Sequence, residues 1–126
     1  MENMEILNLI NLVIAMGIIN VWIIRYDIQT NWRGGGAKSL KEEFLTYGLP
    51  LWFMYLVGFA KISLAIILFL GIWIQDFIFF GSIGMNVLML GAILMHLKVK
   101  DPIKKSLPAF CMLMLSSFIL IQHLYL

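Results

Sequence analysis

The chain has 126 residues, 62% of them hydrophobic and 13% charged, and a mean hydropathy of +0.95. Soluble domains run at roughly 45–50% apolar and 25% charged, so this composition excludes a soluble fold. Four spans of about 20 residues each would leave no length for a separate catalytic domain. The net charge of +2 is too small and too scattered for nucleic-acid binding, which calls for a clustered basic face. The single cysteine, Cys111, allows neither an internal disulfide nor a Cys-x-x-Cys redox pair.

Residues 6–24 carry no formal charge and are interrupted only by Asn8, Asn11 and Asn20, which predicts the first span. Glu2 and Glu5 precede it without any Lys or Arg, unlike the basic start of a signal peptide, so the segment reads as a retained span. Residues 25–48 are polar and contain the Gly34-Gly35-Gly36 turn after Asn31-Trp32-Arg33. Ser39-Leu40-Lys41-Glu42 then matches a capping box. Leu40, Phe44 and Tyr47 recur at i, i+4 and i+7, predicting a short amphipathic helix at the membrane surface, ended by Gly48 and Pro50.

Residues 51–74 form the second apolar run, broken by Lys61 and Ser63. Gln75-Asp76 is then a minimal turn that makes the third span, 77–97, an antiparallel neighbour. That span contains Asn86 and His96, and its Gly84 and Gly91 share a face on which another helix can approach closely. A basic loop over 98–105 leads to the fourth span, 107–126. The prediction is an all-α integral membrane four-helix bundle, a single domain over 1–126, with an interfacial helix in its first loop.

Of nine basic residues, eight lie in the first and third loops: Arg25, Arg33, Lys38, Lys41, Lys98, Lys100, Lys104 and Lys105. The positive-inside rule places loops 25–48 and 98–106 in the cytoplasm and both termini outside, in a bacterial cytoplasmic membrane. Trp22, Trp52 and Trp73 stand at span ends as interfacial anchors, and Trp32 is placed to dip into the same interface.

The ninth basic residue, Lys61, is the outstanding candidate for chemistry. A mid-span charge costs roughly 2.5–3.5 kcal/mol, so it should face the bundle interior or water. Met54, Gly58, Ala65 and Leu68 share its stripe, with the small pair leaving room beside the ammonium. It reads either as an anion, headgroup or proton site, or as a lysine paired with Glu43 or snorkelling to the loops. His96, close to the basic loop, is expected to be hydrated. Asn8, Asn11, Asn20 and Asn86 are expected to hydrogen-bond between helices, and a candidate ligand pocket is drawn from Lys61, Asn86, His96 and Glu43. Lys98, Lys100, Lys104 and Lys105 would attract anionic lipid. The glycine triplet with Lys38-Ser39 lacks the spacing of a phosphate loop. Nine methionines read as core filling, the only Met-x-x-Met being Met1 to Met4, and no metal site is expected.

The segment Trp32-Arg33-Gly34-Gly35-Gly36-Ala37-Lys38-Ser39-Leu40-Lys41-Glu42-Glu43-Phe44 with Tyr47-Gly48-Leu49-Pro50 resembles the first loop of bacterial DoxX-like membrane proteins. Gly58-Phe59-Ala60-Lys61, Gly91-Ala92, Met95-His96, Lys100-Asp101-Pro102 and Leu107-Pro108-Ala109 extend the resemblance along the chain in the same order. It implies a four-helix membrane bundle. The wider DoxX and DoxD grouping includes a proposed subunit of a thiosulfate:quinone oxidoreductase, members linked to redox-stress complexes, and distant animal membrane chaperones. In many relatives the polar position of the second span is acidic, where this chain has Lys61.

Three functions are therefore weighed. The first is a non-enzymatic membrane module that supports a partner protein or binds a lipid or quinone. The second is a membrane subunit of a quinone-linked oxidoreductase, and the third is a small transporter assembled from several copies through the span-three glycines. The expected partners are membrane lipids, a membrane or redox protein, and further copies of the chain, and an autonomous enzyme is not expected.

Overall fold

A computed structural model describes residues 2–28 and 32–125, so Asn31, the Met1 end of the Met1/Met4 pair and Leu126 lie outside it. Helices α1 (Glu2–Ile19), α2 (Leu40–Thr46), α3 (Leu51–Leu70), α4 (Asp76–Lys98) and α5 (Leu107–Tyr125) account for most of the chain. There is no strand among the described residues. Four segments are long and apolar enough to cross a membrane: Glu5–Ile24, Leu51–Leu70, Asp76–Lys98 and Ile103–Tyr125. The protein is thus an all-helical four-span bundle, the architecture in which every backbone group is satisfied without water.

Around the bundle the order is α1, α3, α4, α5, closing back on α1, with α4 across from α1. Ile14, Ala15 and Ile18 of α1 meet Ala65 and Leu68 of α3, Ile78, Met85 and Met89 of α4, and Ile119 of α5. Lipid tails are as apolar as these side chains, so close packing rather than expulsion from water must hold the helices together. Small residues supply that closeness. A Cβ on Gly81 would stand 2.8 Å from Leu68, and one on Gly84 would collide with Leu64. Gly84 is therefore used within the chain, against α3, while Gly91 has open space before it; the glycine pair expected to join copies is split between two surroundings.

Two further expectations are corrected by the packing. Span two is helical to Leu70 rather than to Ile74, because the chain reverses over residues 71–75, where Gly71 lets Ile78 close in to 2.9 Å of the missing Cβ. Trp52 and Trp73 do face outward, but Trp22 turns into the α1–α3 seam against Gly58. It is carried there by a π-helical turn, Asn20–Ile24, closed by the Arg25 N–H on the Asn20 carbonyl at 2.8 Å. The extra residue per turn rotates Trp22 relative to the preceding helix.

The two ends of the bundle differ. The terminal end carries the start of α1 at Glu2, the end of α5 at Tyr125 and the 71–75 turn. The loop end carries α2, the glycine triplet and the 99–106 connection.

Candidate functional site

At the loop end, Ser39 caps α2 by accepting from the Glu42 N–H at 3.2 Å. The Glu42 carboxylate returns to the Lys38 N–H at 2.8 Å, one residue earlier than in the usual box. At the other end of α2 the Leu49 N–H bonds to the Phe44 carbonyl and the Gly48 N–H to that of Leu45. This is a Schellman stop, with Gly48 in the left-handed region at φ 78. Leu40, Phe44 and Tyr47 do form one face, but all three are buried against the bundle rather than left for lipid.

Three elements meet on that face. Arg33, only 4% exposed, donates through Nε and Nη2 to the Ile28 carbonyl, each at 3.2 Å, and through Nη2 to the Arg25 carbonyl at 2.6 Å. Its Nη1 pairs with Glu43 Oε2 at 3.2 Å. The other Glu43 oxygen accepts from the Tyr47 hydroxyl at 2.7 Å. Burial raises the Tyr47 phenol well above its ordinary range, and the adjoining Glu43 carboxylate raises it further, so Tyr47 remains a donor. Gly34 lies against the Tyr47 ring so closely that a Cβ there would overlap the hydroxyl.

The third loop locks onto this unit. Asp101 accepts from the Gly35 N–H through both oxygens, at 3.0 and 3.2 Å, and lies 2.8 Å from His96 Nδ1. A carboxylate can only accept, so the His96 hydrogen sits on Nδ1. Gly35 offers that N–H from a left-handed backbone, φ 61. Lys105 lies 3.9 Å from the same carboxylate, and Lys98 Nζ donates to the Tyr47 carbonyl at 2.8 Å. Burial on its own would raise the Asp101 carboxyl, but the His96 and Gly35 hydrogen bonds and the Lys105 charge outweigh it and hold it below its ordinary value.

The four pocket residues drawn from the sequence do not converge. Glu43 and His96 belong to this loop-end network, bridged by Tyr47, whose ring meets the His96 ring edge-on at 6.1 Å. His96 is 6% exposed and partnered, not hydrated. Asn86 lies ten residues from His96, about 15 Å along α4, where its Oδ1 accepts from Ser116 and from Ser117 and ties α4 to α5. Lys61 is not paired with Glu43, which is engaged by Arg33 and Tyr47. Its ammonium sits 5.0 Å from the centre of the Trp22 ring, and that ring meets Phe44 of α2 edge-on at 5.9 Å. The room expected beside Lys61 is filled by this indole, 2.9 Å from a Cβ placed on Gly58. Of the loop lysines, Lys98 and Lys105 help close the loop end, while Lys100 and Lys104 are exposed.

Sequence reasoning passed over Arg33 and Asp101 as sites and treated Tyr47 only as part of an apolar face. The usable signal was Arg33 directly before three glycines, since an arginine beside backbone without side chains can reach carbonyl oxygens. One turn beyond Lys61 along α3, the α1–α3 seam opens into a groove of about 190 Å³ lined by Leu12, Ala15, Met16, Ile19, Ala65, Ile66 and Phe69. Among the described residues, no cluster of three His, Cys, Asp or Glu is placed to hold a metal.

A small integral membrane bundle closed at one end by two interlocked loops is the class these features define. The chain belongs to the DoxX-like family, whose pattern matches residues 34–118. The matched region runs from the glycine triplet into α5 and leaves α1 outside, so the match is narrower than the whole-chain resemblance read from the motifs. No curated protein and no solved structure matches the chain.

Proposed function

We propose that this protein is a non-enzymatic membrane module that holds a membrane amphiphile, a lipid or a quinone, in the α1–α3 seam. The polar head would meet Lys61 and the chain would lie in the apolar groove that begins one turn further along α3. The observation that carries this reading is the Lys61 ammonium, which has a mid-span position, an indole face beside it and no hydrogen bond to any described residue. A desolvated cation–π contact contributes about 2 kcal/mol, less than the roughly 2.5–3.5 kcal/mol cost of the charge. An anionic or electron-rich head group supplies the difference. Long side chains on a helix lean toward its N-terminus, so Lys61 leans toward the loop end, where the head groups of one leaflet lie.

Mass spectrometry of protein released gently from its own membrane tests this. The expected result is one amphiphile per chain, reduced at least about tenfold by Lys61→Leu, a loss of about 1.4 kcal/mol in binding. The mass of the ligand separates lipid from quinone, and a quinone would favour a role beside a redox partner. Ligand-free protein that carries a specific membrane protein instead would replace this reading with one of assembly.

We also propose that loops 25–48 and 98–106 face the cytoplasm of a bacterial cell and that both termini lie outside, with Lys100 and Lys104 on anionic head groups. The eight basic residues gathered at one end support this. In a Cys111→Ser background, Lys104→Cys should resist an impermeant thiol reagent applied to intact cells and react once the membrane is opened. Equal labelling in both states would reverse the orientation.

A further inference from the structure

The Lys61 site is closed on its loop side. Gly58 lies one turn nearer the loop end than Lys61 on α3, and the Trp22 indole rests on it, with the ammonium 5.0 Å from the ring centre. On the other side of Lys61 the apolar groove begins at Ile19 and Ala65. Because Lys61 leans toward the N-terminal end of its helix, its charge points at the indole and away from the groove. A head group and the indole therefore compete for one face of the ammonium.

The indole is seated by contact alone. A Cβ on Gly58 would stand 2.9 Å from its Cε3 and Cζ3 atoms, so the missing side chain makes the seat. Phe44 of α2 meets the ring edge-on at 5.9 Å and 79°, and Lys61 supplies the third contact. The backbone that carries Trp22 is loosely tied. In the π-helical turn Asn20–Ile24 no residue is fully buried, and Val21, Ile23 and Ile24 are 40%, 51% and 65% exposed. Tightening this wide turn toward an α-helix rotates Trp22 about the helix axis, and its neighbours in the turn already face lipid.

We infer that Trp22 is a gate over Lys61, closed on the ammonium while the site is empty and displaced when the head of an amphiphile takes its place. This rests on the reading of Lys61 as the head-group site. The charge then has a partner in both states, the indole in one and the head group in the other. The closed gate lowers the apparent affinity by the fraction of molecules that stand open. A desolvated cation–π contact sets that fraction at about one in thirty.

The test titrates the full chain in phosphatidylcholine nanodiscs with oleate, an anionic amphiphile, and separately with a decyl-substituted benzoquinone, a neutral one, and counts bound molecules by native mass spectrometry. Trp22→Ala removes the gate, and Gly58→Ala puts a methyl group where the indole rests. Each should tighten binding by about fivefold to thirtyfold, and adding Lys61→Leu should abolish it. An indole that merely braces the seam gives the opposite sign, with binding unchanged or weaker. Lys61-dependent binding that neither variant tightens overturns the gate and leaves the reading of Lys61 standing. If no Lys61-dependent binding of either probe occurs in the unaltered protein or the variants, both fall. A direct readout uses a chain with Trp32, Trp52 and Trp73 replaced by Phe, in nanodiscs of brominated phosphatidylcholine. The bound probe should increase quenching of Trp22 emission as the indole moves out among the acyl chains, and unchanged quenching with the probe bound overturns the gate.

Discussion

Arg33→Ala should destabilise the bundle by about 3–5 kcal/mol, the range for removing one partner of a buried ion pair. The guanidinium, 4% exposed, joins the Arg25 and Ile28 carbonyls to the Glu43 carboxylate. Without it, Glu43 keeps the Tyr47 hydroxyl, the Ile28 carbonyl loses both guanidinium donors, and the Arg25 carbonyl is left with the Ile28 N–H. Arg33→Lys should recover little, because a single ammonium cannot reproduce a planar fork that reaches three acceptors. Unfolding in a mixed detergent series against the unaltered protein measures both. A cost under about 1 kcal/mol for Arg33→Ala would mean that the first loop is not part of the cooperative unit.

Asp101→Ala should cost about 2–4 kcal/mol, since hydrogen bonds to a charged group contribute roughly 1.5–3 kcal/mol each and these are not additive. It removes the acceptor of both His96 and Gly35, and with them the direct tie between the third loop and the glycine triplet. The same carboxylate gives a pH signature. Its folded-state value lies below the ordinary one, so its contribution is complete above the unfolded value of about 3.9. That contribution is lost as the pH falls through the lower, folded value. The difference in stability between the unaltered protein and Asp101→Asn should therefore shrink as the pH falls below about 4. A difference that does not change below about pH 4 would show that Asp101 is not held as a carboxylate by these partners.

Much of the fold was legible in hydropathy. Runs free of formal charge, such as residues 6–24, can only be spans, and a bilayer leaves helices as the sole open-chain solution. The α2 cap and stop were legible for a similar reason: Ser39, Glu42 and Gly48 act on backbone groups a few residues away. Less was legible in the candidate site. Lys61 announced itself by its cost, and Asn86 by polarity in an apolar span. Nothing local, however, could show that Glu43 would turn to Arg33 and not to Lys61, or that Trp22 would occupy the space beside Gly58. A π-helical turn in α1 rotates that indole, and one extra residue in a turn leaves no mark in composition.

The sequence by itself determined the number of spans, the helical class, the short helix of the first loop and the gathering of basic residues at one end. Each of these depends on the transfer free energy or hydrogen-bonding needs of neighbouring residues. Only the tertiary structure decided that Asp101 reaches Gly35 across 66 positions, that His96 is buried and partnered, and that Asn11 stands in the core without a protein partner. Those outcomes depend on which helix faces meet and at what depth, and a one-turn shift between two helices would change every one of them while leaving each span as apolar as before.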